Sequence, residues 1–399
     1  MAGSVSVRLS TRILERGCSG VQSRTACFPA TLYHRDTAHY REAECVRLEP
    51  LAFSSSRLSP RSMNTRGVIH RGQSILNVPT VIPADDAILE RILETTYSTS
   101  HQGLSRSAFT KLDAAQRKTI WGLGHQRRFA LVEKGEVLAS AQRYALNGAL
   151  DRRRVSICGI GAVCTDPSHG NEGHAEVLVE RLIDDAKRDG ADMAIVFVST
   201  DPTSSVSDGF EVIPTTDVEL TVAESPRRGA PMTMVRGGED RDLAAIVAMG
   251  EARASPFRFH LERDVDFVKY TMTRKRLLAG LGSAGVRQFQ FVIAEEGITA
   301  AAYVVISSVG GSWTIEECGD RDASGARVGA ILQALIAREP VERRPVIHGS
   351  MPAGFVPPQV TIVSTKPTAE VILARRLSPS VEQPRLSSEQ VLYWRSDIF

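Results

Sequence analysis

Cysteine is scarce and poorly placed for metal chemistry. The six in the chain (Cys18, Cys27, Cys45, Cys158, Cys164 and Cys318) include no CxxC pair and no spacing suited to zinc. No metal is expected from them, and a reducing compartment is the simplest setting. Long apolar runs are missing as well. Nothing approaches the ~18 consecutive residues that span a bilayer, so a soluble protein is expected, with no membrane partner. Lysine is absent from the first 80 residues, which hold eleven arginines against five acids although the whole chain carries only +2. Those arginines are not interleaved with stacking aromatics, which argues against a nucleic-acid partner.

What is present fits an ordinary globular composition, with 42% apolar and 24% charged residues over 399 positions. That length suits two domains plus appendages at roughly 150 residues per domain. Residues 1–75 show no periodic core pattern and are read as a disordered, targeting or non-native extension. The opening MAGSVSVRLSTRILERGCSGVQSRTACF is Arg- and Ser-rich and resembles a mitochondrial presequence. The alternative places the true start at Met63, which suits the acids returning at Asp36, Glu42, Glu44 and Glu49. The expected location is cytoplasmic, or mitochondrial if the segment is a genuine presequence.

From Pro83 the periodicity becomes regular. PADDAILERILETT offers Asp85 or Asp86 as a cap and sets Ile88, Leu89, Ile92 and Leu93 on one helical face. LDAAQRKTIW predicts a second helix ended by Gly122 and Gly124. Residues 128–146 read as a β-hairpin turning at Lys134–Gly135. RVSICGIGAVCT is an apolar strand, and Gly159 and Gly161 within it mark a bulge or a close approach. A helix follows, with Ala175, Leu178, Val179, Leu182, Ile183 and Ala186 at 3.6-residue spacing, and then the buried strand DMAIVFV. Strand, loop, helix and strand make a βαβ unit, which requires a parallel pair.

The pattern repeats. FALVEKGEVLASA (129–141) and FVIAEEGITAAA (291–302) align without a gap at an offset of 162, sharing Phe, Glu and Gly in register. Each is followed by another β run and a helix, the second helix lying in SGARVGAILQALIARE. Two related α/β domains are therefore expected, at 76–224 and 225–399, joined near AESPRRGAP. The tail segments VTIVST and AEVILARRL are assigned to the second domain as further strands. DRRR (151–154) reads as an exposed turn, and Trp121 and Trp313 as core or pocket-wall residues.

Chemistry is concentrated in TDPSHGNEGHAEVLVERL, where a turn-forming cluster runs straight into a helix. A helix start leaves about four backbone N–H groups unpaired and carries roughly half a positive charge, which suits a phosphate. Gly170 and Gly173 let the backbone curve closely round such a group, and Asn171 tolerates turn geometry.

This segment resembles the acetyl-CoA-binding stretch of the GNAT superfamily of acyltransferases. The family pattern is Arg/Gln-x-x-Gly-x-Gly/Ala after a bulged strand, and here Gly173 and Ala175 fill the last two fixed positions. DGFEV (208–212) stands for the family's later Gly-Phe motif. The resemblance covers about 76–222 well and 231–375 more loosely. It implies two tandem GNAT-like domains, each a mixed, mostly antiparallel sheet with a central parallel βαβ unit flanked by helices. It also implies acetyl-CoA as co-substrate and direct acyl transfer to an amine, carried by a small molecule or a peptide. By position, Val163 and Thr165 would pair with the pantetheine arm, with an oxyanion donor near Ala162 or Val163. His169, Gly170, Asn171, Glu172, Gly173, His174 and Ala175 would hold the pyrophosphate.

The sequence departs from the family at three places. Gly170 stands where Arg or Gln belongs, and losing one charge-assisted contact costs about 1.5–3 kcal/mol. Glu172 adds repulsion of ~1 kcal/mol if solvated, part of which a protonated His169 or His174 would return. The tyrosine acid of many relatives, four residues before the Gly of the Gly-Phe motif, is replaced by Ser205 before Gly209. Asp201 is the candidate base. The C-terminal carboxylate of Phe399 is a second candidate, by resemblance to multi-domain relatives that place a chain end in the active site. In the second copy, CGDRDASGARVG carries Asp322 where Gly325 would require Arg or Gln, so that domain is expected not to bind coenzyme. The competing function is a catalytically silent acyl-CoA sensor or scaffold. The acceptor and the oligomeric state are not readable.

Overall fold

The computed structural model describes residues 78–170, 172–198, 209–224 and 233–397, all of them in one compact unit, Cys45–Phe399. Segment 1–75 lies outside the described residues, as do Asn171, Asp201, Ser205 and Phe399.

The first half runs β1 (Thr80–Pro83), α1 (Asp86–Ser100), α2 (Arg106–Arg117), α3 (Ile120–His125), β2 (Gln126–Glu133), β3 (Glu136–Leu150), β4 (Arg153–Thr165), α4 (His174–Arg188), β5 (Met193–Val198), β6 (Glu211–Ile213) and β7 (Thr216–Val222). The second half runs β8 (Met234–Gly237), α5 (Leu243–Ala254), β9 (Phe259–Leu261), α6 (Val265–Leu281), β10 (Arg287–Glu296), β11 (Thr299–Val309), β12 (Ser312–Asp320), α7 (Ala326–Ile336), β13 (Val346–Gly349), β14 (Val360–Pro367), β15 (Val371–Arg376) and β16 (Val391–Leu392).

Local expectations mostly hold. The β2–β3 hairpin turns at Lys134 and Gly135, both at positive φ, as a tight two-residue connection requires. The second helix differs from its expected form. It starts at Arg106, capped by Ser105, and stops at Arg117. Thr119 then caps α3 through its hydroxyl, which accepts from the Gly122 N–H at 3.0 Å. A new cap thus restarts the chain, and Gly122 and Gly124 lie inside α3 rather than ending a helix.

Two mixed sheets form. The first has the order β1-β2-β3-β4-β5-β15-β6, with β9 against the far end of β3 and β16 beside β9. The second has the order β14-β7-β13-β12-β11-β10-β8. The repeat is visible in three dimensions. β2-β3-β4-α4-β5 is matched by β10-β11-β12-α7-β13, and the parallel pairs are β4/β5 and β12/β13.

Two strands cross between the sheets. β7 pairs with β13 and β14 in the second sheet. β15, expected in the second domain, lies instead in the first sheet between β5 and β6. Burial explains the position. Ile372 and Ala374 of β15 enter the core on one face of the first sheet, while Leu373 enters the core on the other. A strand apolar on both faces needs an interior place. By contrast β14 leaves Val363, Ser364, Thr365 and Lys366 exposed, as an edge strand can.

α4 covers one face of the first sheet, burying Leu178, Leu182, Ile183 and Ala186 against Leu131, Ala141, Ile160 and Val196. The other face carries Tyr144, Ile157, Ile195 and Phe197, and receives Trp121 of α3 with Phe267 and Tyr270 of α6. α6 also sends Val268 and Met272 into the core over β10 and β11. One helix therefore belongs to both cores and ties the halves together.

Candidate functional site

β4 and β5 pair only from Ile157–Met193 to Ile160–Val196. Past Ile160 the two strands part, and among the described residues β4 pairs only with β3 from there on. That remaining pairing is irregular. Gln142 faces Gly161 and Ser140 faces Cys164, so one extra residue is inserted on β4 around Ala162–Val163. Ala162 is exposed and has φ 48. This bulge lies where the oxyanion donor is expected, next to Val163. Gly159 has a different role from a ligand approach: a Cβ there would meet Leu146 Cδ1 at 2.8 Å, so the glycine makes room for a core side chain.

The strand then leads into the loop. Asp166 caps a single 3-10 turn, Pro167–His169, accepting from the Ser168 N–H at 3.0 Å and the Ser168 hydroxyl at 2.6 Å. Burial alone would raise the Asp166 carboxyl, but the Ser168 bonds outweigh it and hold the group below its ordinary value. Gly173 is the N-cap of α4, left-handed at φ 74, with no side-chain cap bond. The first helical bond runs from the Val177 N–H to the Gly173 carbonyl. The amides of His174, Ala175 and Glu176 therefore stand at the open end of the helix. A Cβ added at Gly170 would meet nothing nearer than the Pro167 carbonyl oxygen at 3.8 Å.

Glu172 and His174 face one another, Oε2 to Nε2 at 2.8 Å. The rings of His169 and His174 lie 6.0 Å apart. Glu172 thus has a partner inside the loop, which its sequence position alone does not reveal. Of the expected site residues, Val163, Thr165, His169, Gly170, Glu172, Gly173, His174 and Ala175 are described and lie between the β4 bulge and the first turn of α4. Asn171, Asp201 and Phe399 fall outside the described residues.

The second copy keeps the frame and fills it. β12 and β13 pair from Ser312–Val346 to Ile315–Gly349 and then part, with a bulge at Glu316. Gly325 caps α7 at φ 68, the counterpart of Gly173. Here, however, a Cβ would strike the Phe355 ring at 2.6 Å and Pro357 at 3.3 Å. Phe355 is fully buried, with the Arg253 guanidinium 4.0 Å over its ring.

The bulge itself carries buried charge. Lys275 reaches Glu316 at 2.9 Å. Arg263 makes two bonds to Glu317, at 2.7 and 2.6 Å, and lies 3.2 Å from Asp397. The C-terminal segment closes the gap, because Ser350 donates to the Tyr393 carbonyl and Ser396 to Glu317 at 3.2 Å. Sequence reasoning missed this plug, although two adjacent acids inside the apolar run WTIEECGD were a legible signal.

A groove of about 380 Å³ lies between α1 and α2, lined in part by Glu90, Glu94, Tyr97 and Arg106. None of its lining residues comes from β4 or the loop.

Comparisons with known proteins agree with this geometry. The family described as acetyltransferase (GNAT) domain matches residues 91–212. Solved structures of GCN5-related N-acetyltransferases from Anabaena variabilis and Kribbella flavida are similar in fold, with TM-scores of 0.57 and 0.53. Identities are 9% and 14%; the matches span 75% of this chain in both cases, and 73% and 72% of those chains. A conserved protein from Enterococcus faecalis matches at TM-score 0.56 and 13% identity, over 75% of this chain and 73% of its own. Three quarters of the chain exceeds either half, so these likenesses extend across both sheets. No curated protein matches the sequence. Residues 91–212, which carry the bulged strand and the glycine loop, thus match the acetyltransferase (GNAT) domain family, and the fold of the chain is similar to that of solved GCN5-related N-acetyltransferases.

Proposed function

We propose that the first domain binds acyl-CoA, with acetyl-CoA as the reference substrate, and transfers the acyl group directly to an amine. One observation carries this reading: the exposed bulge at Ala162–Val163 continues into the open amide end of α4 at Gly173. The same frame in the second sheet is filled by Phe355 and the C-terminal segment. An open cradle beside a plugged copy supports one working site in the chain.

The residues present suit the coenzyme in shape and in backbone donors. Gly170 and Gly173 leave space, and the amides of His174, Ala175 and Glu176 offer donors to a pyrophosphate. Acyl-CoA, when bound, supplies the activated acyl group. The edge of β4 that β5 leaves unpaired is suited to hold the pantetheine arm by backbone hydrogen bonds. The bulge at Ala162–Val163 is the proposed place where a backbone N–H meets developing negative charge. Asp201, three residues past β5, is the proposed base that accepts the amine's proton; Phe399 is the alternative.

The competing reading, a silent acyl-CoA sensor, draws on the serine at position 205 and on Glu172. Release of free thiol from acetyl-CoA across a panel of small amines and amine-bearing peptides separates the two. Amine-dependent release supports transfer. Tight coenzyme binding with no release above the amine-free background overturns it in favour of the sensor.

A further inference from the structure

The loop that carries the coenzyme reading reads HGNEGH from His169 to His174, and the rings of its two end histidines lie 6.0 Å apart. The 3-10 turn braced by Asp166 presents His169, and the left-handed Gly173 sets Glu172 and His174 side by side. One ligand atom from each of His169, Glu172 and His174 lies within 4.8 Å of the other two. Both histidines are half-buried and Glu172 is exposed.

Two imidazoles and one carboxylate are a donor set for zinc and similar divalent transition metals, with a fourth position left open. Bonds of ~2.0–2.2 Å in a tetrahedron put the ligand atoms roughly 3.3–3.5 Å apart. The pair at 2.8 Å must open by ~0.5–0.7 Å, and separations of up to 4.8 Å must close by up to ~1.5 Å, to reach that tetrahedral spacing. Glu172, the exposed member of the three, has the most room to rotate toward the two imidazoles.

Charge gives the second argument. The family's clamp is a basic residue, and this chain has Gly170 in its place with a carboxylate two residues later. A divalent cation on Glu172 reverses that deficit at the position where a pyrophosphate would lie. The open end of α4 is itself partly positive, so the cation alone is opposed there. An anion arriving beside it relieves both charges.

We propose that His169, Glu172 and His174 bind a divalent transition-metal ion whose open position takes a pyrophosphate oxygen of the coenzyme, replacing the missing basic clamp. The clamp rests on the coenzyme A reading of the loop; the metal site itself does not. Metal and coenzyme then bind with positive, reciprocal coupling.

The test uses the full chain, stripped with chelator and titrated by calorimetry with ZnCl2, then with coenzyme A in the absence and presence of zinc. Cobalt(II) serves as an optical probe of four-coordinate binding. One site is expected, with affinity lowered at least ~10-fold in Glu172→Gln and in His174→Ala. Coenzyme A affinity should rise at least ~10-fold with zinc and zinc affinity by the same factor with coenzyme A. Absence of zinc and cobalt binding at about 100 µM metal overturns the metal site, while the metal-free coenzyme titration still judges the coenzyme reading. Metal binding that leaves coenzyme affinity unchanged overturns the clamp alone. Metal binding with no coenzyme binding under either condition overturns the coenzyme reading and the clamp with it.

Discussion

Gly173 and Gly325 occupy the same place in the two copies, each a left-handed N-cap, so the same substitution at both measures what surrounds them. Gly173 has φ 74, and a Cβ there meets only Glu176 Oε2 at 3.9 Å. Gly173→Ala therefore carries the left-handed penalty of about 1–2 kcal/mol, offset by about 0.4–1 kcal/mol of lost unfolded-state freedom. Net destabilisation should be ~0.5–1.5 kcal/mol. Gly325, at φ 68, carries the same backbone term. In addition its new Cβ lies 2.6 and 2.7 Å from two Phe355 ring carbons. That ring is buried and stacked under Arg253, so it has no free direction in which to move. Overpacking of this kind adds about 1–3 kcal/mol. Urea denaturation of the two variants, read by circular dichroism, should show Gly325→Ala the more destabilised by ~1–3 kcal/mol. Combining it with Phe355→Ala should recover part of the loss, with a coupling of ~1 kcal/mol or more. Equal losses at the two glycines, or strict additivity with Phe355→Ala, would refute the contrast between an open cradle and a plugged one.

Further outcomes follow from the buried charges and the bulge. Arg263→Met strands Glu317 and Asp397 in the interior and should cost about 3–5 kcal/mol; a loss under 1 kcal/mol by denaturation would contradict the ion-pair hub. Burial pushes the Asp397 carboxyl up, Arg263 pulls it down and Glu317 pushes it up again, leaving it at about 7. Between ~4 and ~7 the folded chain thus keeps a proton that the unfolded chain has released, so this group's contribution to stability falls as pH rises through that window. Asp397→Asn should remove that slope in melting temperature measured against pH, and an unchanged slope would count against it. Ala162→Val places a β-branched residue at φ 48 on an exposed bulge. It should cost ~1–3 kcal/mol and lower any amine-dependent thiol release; no change in either readout would mean the bulge is not as described.

Much of the frame was legible because local patterns dictated it. The hairpin at Lys134–Gly135 is fixed by turn chemistry, the α4 face by 3.6-residue spacing, and the repeat by matching order. Gly173 was legible as a loop glycine from its place just before an apolar-periodic run, although its left-handed φ was not. The strand exchange was not. β14 and β15 both read as strands, and only burial against partners more than 150 residues away places β15 between β5 and β6. The plug was hidden for a related reason. Glu316, Glu317, Arg263 and Asp397 are distant in sequence, and their charges are tolerable in the interior only together. The His169–Glu172–His174 cluster lay in plain view, but its convergence depends on the left-handed turn at Gly173.

On the proposed reading, the β4–α4 loop of the first domain holds coenzyme A while its copy at Gly325 does not. Isothermal calorimetry of the full chain with acetyl-CoA and with free coenzyme A decides it. One site per chain is predicted, abolished by Gly173→Asp and kept in Gly325→Asp variants that remain folded. No heat at high micromolar ligand, with or without zinc, or binding indifferent to Gly173→Asp, would contradict the account.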